Sequence, residues 1–386
     1  MTLINAQIYT PDKTVKNGFL KFHENGEILE IGDMDALQEE AAENVMDVKG
    51  KKVLPGFIDV HIHGGNGYSS MDENYDAINK ISEFHARNGT TAFLVTTSTA
   101  SVDKLKSSLP VMADAVEKGV AGANLLGIHL EGPFINEKRS GAQDKSTIQV
   151  PDLSVLKEYL AAAKNTIKLV TIAPELDNEH ECVKYLLDQN ITVSMGHSDA
   201  TFDEAVEAIK LGVNHTTHHF NGMRGIHHRD PGLAGAGLLL SEVTTELIAD
   251  GFHVHPEVIK HLFATKGPDK VCLITDAVFC AGLPDGEYGR VTVTNGEVYL
   301  KDGSSLAGSS LTTIRALKNV MQYTGYSIEE VLPSLTVVPA RQAGVLHEKG
   351  SLVVGKDADF LIVDEDLNIQ ATYVKGHPVY EVEKVR

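Results

Sequence analysis

Eight apolar, β-branched runs separated by stretches of helical period predict a (β/α)8 barrel for the middle of this 386-residue chain, with a small β-sandwich built from both ends. Three observations carry that reading. The runs recur over about 250 residues, the usual span of such a barrel. Most are followed by apolar residues at helical spacing, which places a crossover helix between parallel strands. The two ends of the chain, in contrast, are rich in short strand-like segments and turns and carry no helical period. A doubly wound open sheet is the competing arrangement, but no G-x-G-x-x-G follows the first strand.

The elements follow in order. TLINAQIYT and GFLKFHENGEILEIGD read as short strands, with Asn25-Gly26 marking a hairpin. The barrel strands are KVLPGFIDVHIH, TTAFLVTTS, NLLGIHLEG, IKLVTIAPE, ITVSMGHSD, VNHTTHHFN, TTELIADGFHV and KVCLITDAV. Helical links include YDAINKISEFHARNG, VDKLKSSLPVMADAVEKG and DNEHECVKYLLDQN, whereas glycines interrupt the pattern in GLAGAGLLLS after the sixth strand. GSLVVGKDADFLIVDEDLNIQATYVKGHPVYE returns to short strands. The expected division gives residues 1–53 and 349–386 to the β-sandwich and 54–348 to the barrel.

Composition narrows the function. Hydrophobic residues make up 42% and charged residues 23% of the chain, as in a globular protein with a large core. A formal net charge of −19 argues against nucleic acid or an anionic membrane surface as a partner. It leaves room for a small phosphorylated ligand held by a few local basic groups. Cys182, Cys272 and Cys280 are too few and too scattered for a disulfide framework or a thiolate metal site. MTLINAQIYTPDK has neither the basic nor the apolar region of a secretion signal, and no run approaches the roughly 20 apolar residues of a membrane span. A cytoplasmic setting is expected.

In FIDVHIHGG, His61 and His63 stand one residue apart, and strand alternation puts both imidazoles on one face. Reactive residues of this fold gather where strands run out into loops at the C-terminal face. Glu131 stands there in HLEGPF on strand three, His197 in MGHS on strand five, and Asp276 in TDA on strand eight. Strand six carries His218 and His219 in THHFN, on opposite faces. Each residue alone has a plain structural reading as a helix cap or a packed or solvated histidine. Five strands delivering imidazole or carboxylate to one rim point instead to a divalent metal such as zinc or ferrous iron. Such an ion lowers the pKa of water from 15.7 to about 7, so a metal-dependent hydrolase is expected.

Together, LPGFIDVHIHG, HLEGPF, GHS, THHFNGM, ADGFHVHP, TDA and LAGSSLT resemble the N-acetylglucosamine-6-phosphate deacetylase family of the amidohydrolase superfamily. The resemblance runs through nearly the whole chain. It implies hydrolysis of the acetamide of N-acetylglucosamine 6-phosphate, with one or two divalent ions per subunit. It assigns the primary ion to Glu131, His197 and His218, choosing His218 over His219. A second ion falls to His61 and His63, a pair that some members lack. Many amidohydrolases bridge two metals through a carboxylated lysine on strand four; TIAPE has no lysine, which makes Glu131 the better candidate bridge. Asp276 is implied as the group that takes a proton from the attacking water and hands it to the departing amine, which leaves poorly unless protonated. The family's sugar-phosphate contacts fall on Asn221, Gly222, Arg229 and His253. In relatives the phosphate pocket is completed across a dimer interface, so a homodimer is implied.

One departure stands out. RSGAQDKS has Gln143 where many relatives carry a histidine that hydrogen-bonds the substrate carbonyl. An amide NH2 donates but carries no positive charge. The expected consequence is that an ion at His61 and His63 carries most of the charge developing on the acetyl oxygen, with Gln143 steering the acetamide. Three other readings compete. One is deacetylation of another amino-sugar phosphate, such as the galactosamine epimer. Another is a cyclic-amide hydrolase, which the missing strand-four lysine disfavours. The last is a non-catalytic binding protein, against which stands the retention of every ligand and of the acid–base residue.

Overall fold

The computed structural model describes residues 1–38 and 44–382. Its central sheet consists of eight parallel strands, Phe57–Ile62, Thr90–Thr96, Asn124–Glu131, Ile167–Ile172, Thr192–Met195, His215–Thr216, Thr244–Ile248 and Val271–Ile274, hydrogen-bonded in that order. All eight fall within the runs named above. The last returns to the first: the Asp276 N–H donates to the His61 carbonyl at 3.0 Å. The Asp59 carboxylate adds a seam, accepting from the Thr275 N–H at 3.2 Å and the Thr275 hydroxyl at 2.6 Å. A side chain thereby completes a closure that the backbone ladder leaves thin.

A helix follows each strand, from Tyr75–Arg87 after the first to Thr313–Thr324 after the eighth. Their starts obey local chemistry. Asn74, Ser101 and Asp152 accept hydrogen bonds from first-turn N–H groups, and Thr201 with Glu204 forms a capping box. GLAGAGLLLS does contain a helix, Gly232–Leu239, buried almost throughout. Glycine is a poor helix former, but packing overrides propensity here. A Cβ on Gly237 would sit 2.4 Å from His219 Cε1, so the missing side chain lets this helix close on the imidazole. The sixth strand spans only His215–Thr216, and His218 and His219 lie beyond it rather than on its two faces.

The terminal strands form one sheet: Thr2–Tyr9, Thr14–Phe22, Ile28–Asp33, Val45–Asp47, Lys52–Pro55, Phe360–Val363, Ile369–Val374 and His377–Glu381. The sandwich expected here is this single sheet curled over its own core. The strands of Phe22 and Phe360 are three places apart in it, yet their ring centroids lie 5.7 Å apart. A flat sheet would separate them by three spacings of about 4.8 Å. Leu3, Leu20 and Ile28 join Phe360, Ile362 and Tyr373 in the enclosed cluster. Lys52–Pro55 lies between Thr2–Tyr9 and Phe360–Val363, so residues 54 and 55 belong to this sheet and the barrel begins after Gly56.

A three-stranded antiparallel insert, Gly286–Tyr288, Val291–Thr294 and Glu297–Leu300, follows the eighth barrel strand. Sequence reading passed over it, although VTVTNGEVYL carries the signal. Asn295 and Gly296 both have positive φ, 52° and 83°, as a two-residue hairpin turn requires.

Near the junction of the two sheets, the buried Lys349 Nζ lies 2.7 Å from Asp357 Oδ2 and 2.8 Å from Asp359 Oδ2. Burial opposes its charge, but the two carboxylates prevail and raise its pKa. Lys349→Ala leaves Asp359 without a cationic partner and Asp357 with only the half-exposed Lys375, 3.7 Å away. Breaking a buried pair typically costs about 3–5 kcal/mol. The unfolding temperature measured by calorimetry should fall accordingly; an unchanged value would show that the pair contributes nothing.

Candidate active site

The C-terminal strand ends surround a cavity of about 510 Å3. His61 and His63 do share a face, with their Nε2 atoms 3.2 Å apart. Glu131 ends the third strand with its carboxylate among four imidazoles. Its Oε1 lies 3.2 Å from His197 Nε2, 3.1 Å from His218 Nε2 and 3.4 Å from His61 Nε2, and its Oε2 lies 3.2 Å from His63 Nε2. Asp276 Oδ1 completes the group, 3.2 Å from His63 Nε2 and 3.6 Å from His61 Nε2. His219 turns away, with its Nδ1 3.1 Å from Thr216 Oγ1.

The far nitrogens of these rings are already committed. His197 Nδ1 donates to the Arg139 carbonyl at 2.8 Å, and His218 Nδ1 to the Asn221 carbonyl at 3.0 Å. A carbonyl only accepts, so both rings carry the proton on Nδ1 and, when neutral, aim a bare Nε2 inward. Those two Nε2 atoms are 3.1 Å apart beside a carboxylate oxygen. Lone pairs that close repel unless a cation lies among them. Glu131, His197 and His218 form one set of donor atoms within 4.8 Å of one another, and His61, His63 and Asp276 form another. Imidazole nitrogen with carboxylate oxygen is a donor set that fits a borderline divalent ion.

Protons otherwise supply the positive charge. Burial opposes protonation of His63, but hydrogen bonds to Asp276 and Glu131 prevail and raise its pKa to about 9. Burial likewise opposes ionisation of Glu131, yet the His61 charge beside it holds the carboxyl well below its ordinary range. Asp276 is lowered in the same way, with burial opposing and His61 prevailing.

The backbone is bent to present these groups. His197, His218 and Asp276 have φ of 46°, 28° and 51°, a region that residues other than glycine seldom enter. Such strain concentrates where surrounding contacts over-determine a functional geometry. Gly222, at φ 58°, is needed for a different reason: a Cβ there would lie 2.9 Å from His197 Nδ1.

Asn221, Gly222, Gln143 and His253 all line the cavity. Asn221 Nδ2 is buried and without an acceptor. His253 Nδ1 lies 2.6 Å from Asp250 Oδ2; burial opposes its protonation, but Asp250 prevails and raises its pKa. Gln143 Oε1 accepts from the Thr99 N–H at 2.9 Å, which turns its NH2 toward Glu131 Oε2 at 2.8 Å. Arg229 is not brought to this cavity by its own chain. It is exposed, with Nη1 2.9 Å from His228 Nε2. Lys104 and Arg290, which sequence reading did not select, do line the cavity. Nor did it select Asp59 and Glu246, which bond to His61. For Asp59 the signal existed, because the alternation that pairs His61 with His63 puts Asp59 on the same face.

A model of the amidohydrolase family matches residues 52–379. An N-acetylglucosamine-6-phosphate deacetylase of Bacillus subtilis is 37% identical over 376 residues, covering 96% of this chain and 94% of its own. An N-acetylgalactosamine-6-phosphate deacetylase of Escherichia coli is 35% identical over 327 residues, with coverages of 84% and 86%. The crystal structure of the N-acetylglucosamine-6-phosphate deacetylase of Thermotoga maritima is similar at a TM-score of 0.88 and 34% identity, covering 99% of this chain and 100% of that one. With the family match covering the whole barrel and the later strands of the terminal sheet, and relatives of this identity along nearly its full length, the chain belongs to the amidohydrolase family.

Proposed function

We infer that the protein is a metal-dependent deacetylase that hydrolyses N-acetyl-D-glucosamine 6-phosphate to glucosamine 6-phosphate and acetate. The observation that carries this reading is the convergence of Glu131, His197 and His218 on one point faced also by Asp276 through His61 and His63. The Bacillus subtilis and Thermotoga maritima relatives support the gluco epimer. The Escherichia coli relative keeps the galacto epimer as a second reading, and acetate release from the two phosphates in parallel decides between them.

Glu131, His197 and His218 would hold a primary ion, and His61 with His63 a second, Glu131 facing both. Zinc or ferrous iron fits these donors best. When bound, such an ion supplies Lewis acidity, lowering the pKa of water from 15.7 to about 7. The chain's own residues do the rest. Asp276, kept ionised, takes a proton from the attacking water on its carboxylate and returns it to the amine nitrogen as the amide bond breaks. His253, its pKa raised by Asp250, meets the phosphate, and Asn221 Nδ2 and Gly222 meet the sugar phosphate beside it. Gln143, its carbonyl pinned by Thr99, has one amide hydrogen on Glu131 and the other to steer the acetamide. Arg229 reaches a phosphate only from a neighbouring subunit, so the proposal includes a homodimer. No helix among the described residues is long and apolar enough to cross a membrane. The acidic chain has no nucleic acid or membrane partner in this reading, and its setting is cytoplasmic.

Metal analysis coupled to acetate release tests the whole reading. His197→Ala should lose the primary ion and turnover while still folding; activity that survives a chelator in this variant would overturn the metal role. Asp276→Asn should keep the primary ion and substrate but lose about 10²–10⁴-fold in kcat, the usual scale of general acid–base catalysis. An unchanged kcat would assign the proton to another group. Charge-assisted bonds to phosphate contribute about 1.5–3 kcal/mol each. Arg229→Ala should therefore lower kcat/KM for the phosphorylated sugar by about tenfold or more, and far less for unphosphorylated N-acetylglucosamine. Equal losses on both substrates would remove Arg229 from the phosphate site.

A further inference from the structure

Glu246 lies within the seventh barrel strand, fully buried, and no step above uses it. Its Oε2 is 3.0 Å from His61 Nδ1 and accepts the His218 N–H at 3.0 Å, while its Oε1 is 3.0 Å from His215 Nε2. We propose that Glu246 is a positioning residue for the second ion: it fixes the proton of His61 on Nδ1, so that Nε2 is the nitrogen offered to the metal. The inference rests on the two-ion reading of the site.

Glu246 is not a ligand of a further site. His61, His129 and Glu246 do place donor atoms within 4.8 Å of one another. His129, however, is spent: its Nδ1 donates to the Val60 carbonyl at 3.1 Å, leaving Nε2 to accept the Thr171 hydroxyl at 2.8 Å. The cluster is closed by hydrogen bonds. An ionised carboxylate has no proton to give, so both imidazole nitrogens that face Glu246 must donate to it. For His61 this leaves Nε2, which faces Glu131 and Asp276, as the only free lone pair. Asp59 accepts the His61 backbone N–H at 3.0 Å but does not bond to the ring. The tautomer therefore rests on Glu246. Carboxylates behind metal-bound histidines act this way generally, and their loss lowers metal affinity about 10–100-fold.

Glu246→Gln keeps the shape but has one accepting oxygen where two are used. With its NH2 toward His61 Nδ1 it reverses the tautomer; with its NH2 toward His215 Nε2 it moves that ring's proton to a buried Nδ1 that has no partner and leaves the His61 tautomer as it was. Metal-stripped protein is titrated with zinc by calorimetry, with His63→Ala identifying the second-site signal. Because one atom of residue 246 meets both His61 Nδ1 and the His218 N–H, Glu246→Gln should weaken the second site about 10–100-fold where nitrogen-15 NMR of the variant shows the His61 proton gone from Nδ1, with a smaller loss at the Glu131, His197 and His218 site, and should keep both affinities where that proton stays. Nitrogen-15 NMR of the unsubstituted, zinc-loaded protein should place the His61 proton on Nδ1, a readout independent of how any variant folds. A variant that keeps the second-site affinity with its His61 proton gone from Nδ1, or a wild-type His61 proton on Nε2, overturns the assignment. A wild-type protein that takes up only one zinc overturns the two-ion reading, and the assignment with it.

Discussion

Buried negative charge is the constraint around which this molecule is arranged. Asp59, Glu131, Glu246 and Asp276 stand at one end of the barrel with exposures of 0, 1, 0 and 8%. An unpaired buried carboxylate costs several kcal/mol, so each must be neutralised or matched. Asp59 stands between the two, burial pushing its pKa up to about 7 while donors from Thr275 and the His61 N–H favour its charge. The others take the second. Imidazoles are their partners in every case, and the chain spends its strand ends supplying them. Protonated imidazoles balance the charge without an ion, and a divalent ion balances it with fewer groups and releases their protons.

A stiff floor keeps that balance in register. Beneath the site, side chains of four barrel strands or strand ends form a hydrogen-bonded row: His129 Nε2 to Thr171 at 2.8 Å, Thr171 to Thr217 at 2.7 Å, and Thr217 to Ser194 at 2.6 Å. Its direction is set at one end. Because the Val60 carbonyl takes the His129 Nδ1 proton, Thr171 must donate to Nε2, Thr217 to Thr171, and Ser194 to Thr217. No hydroxyl in the row is free to rotate without breaking a bond. The His61 ring rests against His129 edge-to-face, with centroids 4.6 Å apart, so this imidazole stands on the ordered layer.

Much of this was legible in the sequence. The barrel strands are buried on both faces and read as continuous apolar runs, and the residues that end them stand out because a histidine or carboxylate there breaks the run. What escaped has physical reasons. Glu246 and His129 sit inside apolar runs, where a polar residue is easily passed over, although period-two alternation puts His129 on the face of Glu131. Lys104 and Arg290 come from the start of a helix and the hairpin insert, and no linear spacing ties either to the rim. Pairing of Lys52–Pro55 with Phe360–Val363 joins residues far apart in the chain, and local pattern does not encode such register. Only resemblance points to Arg229, which is not among the residues lining the cavity of the single chain.

The passage from Lys52–Pro55 through Gly56 into Phe57–Ile62 ties His61 and His63 to the order in which the chain is made. Lys52–Pro55 waits for Phe360–Val363, and the His61 carbonyl waits for Asp276, both of which emerge much later from the ribosome. Through most of translation the segment carrying His61 and His63 therefore has an open β-edge on one side. Such an edge pairs readily with other chains, and contacts of this sequence separation form slowly. The segment carrying His61 and His63 is among the earliest synthesised parts of the barrel and among the last to be locked, so its edge stays exposed until the C-terminal sheet arrives.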